Sequence, residues 1–152
     1  MSPNSNFKDL LNVFNRCGVE YLVVGGYAVM FYTEPRFTKD LDLWVRPSAE
    51  NANRVFRALA EFGAPLAGIQ PGDFAKEDTI YQLGVPPVRI DVVTSITSVT
   101  FEEAWPRRKE ADFDDVAAHF ISLGHLRANK SAVGRASDLA DVERLIRVEE
   151  RE

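Results

Sequence analysis

The sequence contains one cysteine and two histidines in 152 residues. A lone Cys17 cannot form an intramolecular disulfide, and together with the distant His119 and His125 it cannot complete a tetrahedral zinc site. No apolar run approaches the roughly 20 residues that a membrane-spanning helix needs. Linkers rich in Ser and Gly, low-complexity tracts and internal repeats are also missing, so residues 1–152 are expected to form a single domain. Positive charge is in deficit: 18 basic against 23 acidic residues leave −5. That balance argues against broad non-specific nucleic-acid binding, while leaving room for a local basic pocket. The start, MSPNSNFKDLL, has no basic stretch followed by an apolar core. No secretory signal is therefore expected, and the cytoplasm is the expected location. What is present, 45% hydrophobic and 27% charged residues, is the composition of an ordinary globular domain.

Hydrophobic periodicity outlines the elements. Phe7, Leu10, Leu11 and Phe14 predict a helix over 6–17, with Ser5 or Asn6 as its N-cap and Gly18 just beyond. Tyr21 to Val24 read as a short buried strand ending at Gly25-Gly26, and Tyr27 to Tyr32 as a short helix. Leu41 to Val45 alternate like a strand. Ser48 opens the clearest helix, with Ala52, Val55, Phe56, Leu59 and Ala60 on one face and Gly63 as its stop. Residues 64–77 read as a long loop. Thr79 to Leu83 and Val88 to Val93 form a hairpin, and Thr100 with Glu103 has capping-box spacing. One last strand is expected within 113–121. Two closing helices, within 122–148, then pack on the domain, the second through Leu139, Val142, Leu145 and Ile146. The class is α/β (α+β), a mixed β-sheet flanked by helices.

The chemistry is concentrated in residues 23–45, VVGGYAVMFYTEPRFTKDLDLWV. Glycines at a strand-to-helix turn let a ligand approach bare N–H groups, and a helix N-terminus favours phosphate. Taken alone, the pair is better explained by a turn that merely needs glycine. Asp40 and Asp42, two apart on a strand, share a face with Cα atoms roughly 6.5–7 Å apart. Such a pair suits Mg²⁺, a hard cation, or else forms the solvated face of an edge strand. Asp91 lies within the apolar VRIDVV, where an unpaired acid is costly. It needs a cation, which is either a metal shared with Asp40 and Asp42 or Arg89 on its own face.

The run Gly25-Gly26, then Arg36-Phe37-Thr38-Lys39-Asp40-Leu41-Asp42, then an isolated strand acid at Asp91, resembles the DNA polymerase β-like nucleotidyltransferase superfamily. It is most similar to small prokaryotic members related to the abortive-infection and toxin–antitoxin nucleotidyltransferases. Lys130, Gly134-Arg135 and Asp138-Leu139-Ala140-Asp141 extend the resemblance, which covers about residues 7–147. One departure is Gly26, where many transferases have a serine whose hydroxyl helps to hold the triphosphate.

The resemblance implies a nucleotidyltransferase fold and a Mg²⁺-dependent enzyme (Mn²⁺ as substitute) that moves a nucleoside monophosphate from an NTP to a hydroxyl. It implies catalytic and metal-binding roles for Asp40, Asp42 and Asp91, and nucleotide binding by Gly25, Gly26, Arg36, Thr38 and Lys130. Lys39 would add positive charge, while Arg135 is expected to pair with Asp138 or Asp141 and brace the last helices. The acceptor is a tRNA, a protein or a small molecule, and the implied partner is the other half of a toxin–antitoxin pair. The competing expectation is a catalytically weak nucleotide-binding module acting through a partner protein.

Overall fold

A computed structural model describes residues 3–36, 40–85 and 88–151. Thr38 and Lys39, and the Pro86-Pro87 tip of the expected hairpin, lie outside them. The chain runs α1 (Pro3–Arg16), β1 (Tyr21–Val24), α2 (Gly25–Tyr32), β2 (Asp40–Val45), α3 (Ala49–Phe62), β3 (Ile80–Val85) and β4 (Val88–Val93). It continues through α4 (Phe101–Ala104), β5 (Lys109–Phe113), β6 (Val116–Phe120), α5 (Leu123–Val133) and α6 (Ala136–Arg151). Six strands form one sheet in the order β3-β4-β2-β1-β6-β5. The sheet is mixed: β1 pairs with β6 and β2 with β4 in parallel, whereas β1–β2, β3–β4 and β5–β6 are antiparallel.

Strand parity sorts the side chains of β2 between two faces. Leu41, Leu43 and Val45 join Phe7, Leu10, Leu11 and Phe14 of α1 and Val55 and Leu59 of α3 in one apolar layer. Leu22, Val24 and Trp44 turn to the opposite layer, where they meet Ala28 and Val29 of α2, Phe101 of α4, Leu126 of α5 and Leu145 of α6. Asp40 and Asp42 have the parity of Trp44, so they lie on the face that α5 and α6 cover only in part. Among the described residues, no helix is long and apolar enough to cross a membrane.

Local signals placed several boundaries directly. The Ser48 side chain accepts from the Asn51 N–H, and Gly63 closes α3 in the left-handed region. Thr100 and Glu103 form the reciprocal capping box that opens α4, and Ser122 caps α5 by accepting from the His125 N–H.

Other expectations are corrected. α1 begins at Pro3, so Ser5 and Asn6 lie inside it rather than before it. α2 begins at Gly25, which makes the glycine pair the first turn of the helix instead of a turn preceding it. Residues 109–120 hold two strands, not one, with the turn at Asp114 taking a positive φ of 56°. β5, KEADF, is an edge strand exposed along most of its length, so it has little apolar alternation to mark it. In α6 the inward face is Asp138, Asp141 and Leu145, whereas Leu139 is 50% and Ile146 39% exposed. Leu145 packs inward as expected, but the buried face is rotated from the expected stripe toward Asp138 and Asp141, which leaves Leu139 and Ile146 outside it.

Buried Asn51 ties α3 to the sheet. Its Oδ1 accepts from the Glu20 N–H at 2.8 Å, and its Nδ2 donates to the carbonyls of Glu20 and Arg46, each at 3.0 Å. Those two residues flank the paired ends of β1 and β2. Removing the amide takes the side-chain partner from the Glu20 N–H and one of two donors from each of the Glu20 and Arg46 carbonyls. Asn51→Ala is therefore expected to lower the unfolding free energy by about 2 kcal/mol, measured by urea denaturation.

Candidate active site

The site is assembled from four segments. In the β1–β2 ladder Val24 stands opposite Asp42, and in the β2–β4 ladder Asp42 stands opposite Asp91 and Asp40 opposite Arg89. Cross-strand partners share a face, so Asp40, Asp42, Arg89 and Asp91 all project to the same side of the sheet. Regular pairing is what brings together acids that are 49 residues apart in sequence.

Gly25 follows β1 at the edge of this cluster with φ of +68°, a region that side chains resist. A Cβ built there would stand 2.2 Å from Asp42 Oδ2. Gly25 thus serves two needs at once, the backbone turn into α2 and clearance for the Asp42 carboxylate. The residue before the helix, Val24, supplies no side-chain cap. Its side chain does not compete for the first-turn N–H groups of Gly25 and Gly26, the orphan donors of a helix start. Gly26 lies in that same first turn.

The carboxylates interact strongly. Burial, reinforced by the charges of Asp91 and Asp40 and by a hydrogen bond with Asp91, pushes the Asp42 carboxyl up to about 7, and Lys130 pulls it back in part. Arg89 provides the counter-charge to the other two acids: its Nη2 donates to Asp40 Oδ2 at 2.8 Å and to Asp91 Oδ2 at 3.3 Å, and its Nε lies 3.2 Å from Asp91 Oδ1. The Arg89 alternative for Asp91 is thus realised, and extends to Asp40. Among the described residues, two buried oxygens, Asp40 Oδ1 and Asp91 Oδ1, have no hydrogen-bond partner. Among the described residues no three metal-ligating side chains stand in a ready cage, since the guanidinium holds Asp40 and Asp91. The donor set nevertheless suits a hard divalent cation: three carboxylates on one face, carrying buried acceptors left unsatisfied.

Lys130, on α5, acts on the Asp42 carboxyl through space and is held by two acids of α6. It is not a solvated helix residue, because its side chain is 12% exposed. Nor is it held out toward open space: its Nζ lies 3.1 Å from Asp138 Oδ1 and 3.2 Å from Asp141 Oδ2, two acids buried on α6. Arg36 grips Asp141 through both guanidinium nitrogens. Arg135 bonds Asp138 at 2.7 Å, the bracing role expected of it. The Arg135 hydrogen bond, followed by that of Lys130, outweighs burial and holds Asp138 below the usual carboxylate range. At Asp141, burial acts upward but is overcome by Arg36 and Lys130, so that carboxyl too is lowered. Sequence reasoning gave Asp138 and Asp141 only a bracing contact with Arg135, and missed that they also hold Lys130 and Arg36. Their signal was spacing: acids three apart on the helix face that also carries Leu145.

A cavity of about 590 Å³ lies elsewhere, between Trp44, Arg46, Thr94 and Phe101 beyond the C-terminal ends of β2 and β4. The acids stand toward the opposite ends of those strands, so this cavity is not part of the carboxylate site.

With that geometry in view, the comparisons can be read. The chain matches no protein-family model and no curated protein. Solved structures match it along nearly its whole length. The lincosamide antibiotic adenylyltransferase LnuA, in its lincomycin-bound structure, is 15% identical with a TM-score of 0.62, covering 95% of this chain and 96% of LnuA. A protein from Thermotoga maritima described as a nucleotidyltransferase is 12% identical with a TM-score of 0.58, covering 97% and 96%. An antigenic nucleotidyltransferase-like protein from Paracoccidioides brasiliensis is 17% identical with a TM-score of 0.54, covering 91% of this chain and 72% of that one.

Two outcomes follow from the electrostatics. The Asp42 carboxyl lies near 7 in the fold against an ordinary 3.8, so the native state binds the extra proton between those values. Stability of the metal-free protein should fall as pH rises from about 4 to about 7, and Asp42→Asn should remove most of that slope in urea titrations run with chelator. Lys130→Met leaves two buried carboxylates short of a cation, with Arg36 and Arg135 still in place. It should cost about 3 kcal/mol by the same measurement, far more than loss of a surface lysine. Taken together, the strand order, the helical layers and the full-length structural matches give this chain the nucleotidyltransferase fold.

Proposed function

We propose that the protein is a nucleotidyltransferase that moves a nucleoside monophosphate from an NTP to a hydroxyl. One observation carries this reading: the β2–β4 ladder stacks Asp42 on Asp91, with Asp40 beside them, directly against the Gly25 helix start. A purely structural sheet gains nothing from crowding three carboxylates at a buried place, where burial and then the charges of Asp91 and Asp40 raise Asp42 to about 7. Asp40, Asp42 and Asp91 would hold Mg²⁺, or Mn²⁺ in its stead, and the ion when bound would supply neutralisation of the charge that develops on the phosphates.

The chain's own groups have separable tasks. The N–H groups of Gly25 and Gly26 face the triphosphate, aided by the positive end of α2. Through the sequence resemblance, Thr38 belongs to the same nucleotide-binding set. Arg36 and Lys130 contribute positive potential, although each is also committed to Asp141. The acceptor oxygen forms its bond to the α-phosphorus as the bond to the pyrophosphate oxygen breaks. Its proton passes to Asp91.

The net charge of −5 disfavours a polyanionic acceptor such as tRNA and favours a small molecule or a protein hydroxyl. The structural likeness to LnuA, which is described as acting on a lincosamide antibiotic, points the same way. Cytoplasmic location and pairing with an antitoxin partner belong to this same proposal, through the sequence resemblance. A second reading, a nucleotide-binding module that turns over weakly, is favoured by the Arg89 bridge, which neutralises two of the three acids.

Incubation with α-labelled ATP, CTP, GTP and UTP plus Mg²⁺, against lincomycin, tRNA and protein fractions, separates the two. Transfer of label with release of pyrophosphate is the expected result, and Asp42→Ala should reduce kcat by about 10²–10³ or more. Metal-dependent nucleotide binding without transfer to any acceptor would favour the weak module instead.

A further inference from the structure

We propose that Arg89 is a built-in counter-cation that a divalent metal must displace, and that the freed guanidinium then pairs with the incoming triphosphate. This rests on the function proposed above and specifies how the site is loaded. Arg89 bridges Asp40 and Asp91, the two acids that flank Asp42 on the same face. The bridge balances charge but satisfies the acceptors poorly. Only one contact, to Asp40 Oδ2 at 2.8 Å, is a good hydrogen bond, and that to Asp91 Oδ2 is long at 3.3 Å. The Nε approaches Asp91 Oδ1 at 3.2 Å yet makes no hydrogen bond, and both atoms are buried without one. Asp40 Oδ1 is left over in the same way. Nε and Nη2 face both oxygens of Asp91, yet at 3.2 and 3.3 Å the fork is loose, and among the described residues Asp91 Oδ1 accepts no hydrogen bond. The bridge leaves the oxygens that a hard cation would take.

The surroundings give Arg89 a way out. Its side chain is 31% exposed, and its neighbour across the β3–β4 ladder is Gly84, which places no side chain beside it. The guanidinium can therefore leave the carboxylates without repacking the core. Once displaced, it remains on the sheet face that carries Asp42, whose carboxylate lies against the Gly25 helix start, and a triphosphate is the partner whose charge replaces that of the acids. Metal and nucleotide then help each other: each makes the other's site available, and the coupling is reciprocal.

Mn²⁺ binding to the intact protein, followed by electron paramagnetic resonance with and without a non-hydrolysable ATP analogue, tests this directly. Arg89→Met should bind Mn²⁺ at least about 5-fold more tightly than wild type without nucleotide, and should show a smaller gain when the analogue is added. Arg89→Lys, which keeps the charge but cannot span two carboxylates, should fall between them and covers the case in which the Met variant does not fold. Equal or weaker Mn²⁺ binding by both variants, with wild-type binding intact, would overturn the inference and leave the proposed function standing. No Mn²⁺ binding by wild type or variants, with or without the analogue, would overturn both.

Discussion

Mutual repulsion among Asp40, Asp42 and Asp91 is the constraint around which the charged part of the molecule is organised. β2 and β4 pair in register, and the pairing that satisfies their backbones forces the three carboxylates onto one face. The energy for holding them there comes from the other side of the same strands, where Leu41, Leu43, Ile90 and Val92 are buried beneath α1 and α3. The fold thus spends apolar burial on keeping acids close together.

Compensation then spreads outward in steps. Arg89 neutralises the outer pair, and Lys130 lowers the cost of charging Asp42 through space. Lys130 is itself buried, and needs the α6 acids Asp138 and Asp141 to hold it. Those acids in turn require Arg135 and Arg36. The chain of pairs runs from the sheet to α5, to α6 and back through Arg36 to the segment that leads into β2. Among the described residues, Asp40, Asp42, Asp91, Asp138 and Asp141 are matched by Arg36, Arg89, Lys130, Arg135 and, at 3.9 Å from Asp141, Arg144. A buried network of this kind costs desolvation energy, which is tolerable when the same residues position a reactive face.

Tests of stability and of chemistry should therefore overlap for Lys130 and separate for Asp42. Lys130 is tied to two buried acids and contributes to the fold whether or not a nucleotide is bound. Charging Asp42 opposes folding, so its replacement can ease the fold, while under the proposed function it would remove activity. That opposition between stability and activity is the signature of a group kept for its chemistry.

Sequence alone determined the elements whose cause is local. The Ser48 and Ser122 caps, the Thr100–Glu103 box, the exact span of β1 and the parity of Asp40 with Asp42 all follow from interactions within a few residues. The nucleotidyltransferase fold was legible because the glycine pair, the acid pair and the isolated strand acid combine in one order along the chain. Tertiary structure decided what depends on distant partners. Nothing near Lys130 in sequence says that it is buried against α6, and nothing in the apolar stripe of Leu139, Val142 and Ile146 says that Asp138 and Asp141 take the inward face instead. β5 was invisible because an edge strand can be charged on nearly all sides, and its pairing with β6 comes from the ladder. The placement of Arg89 across two acids was likewise decided by strand register, which no short-range pattern encodes.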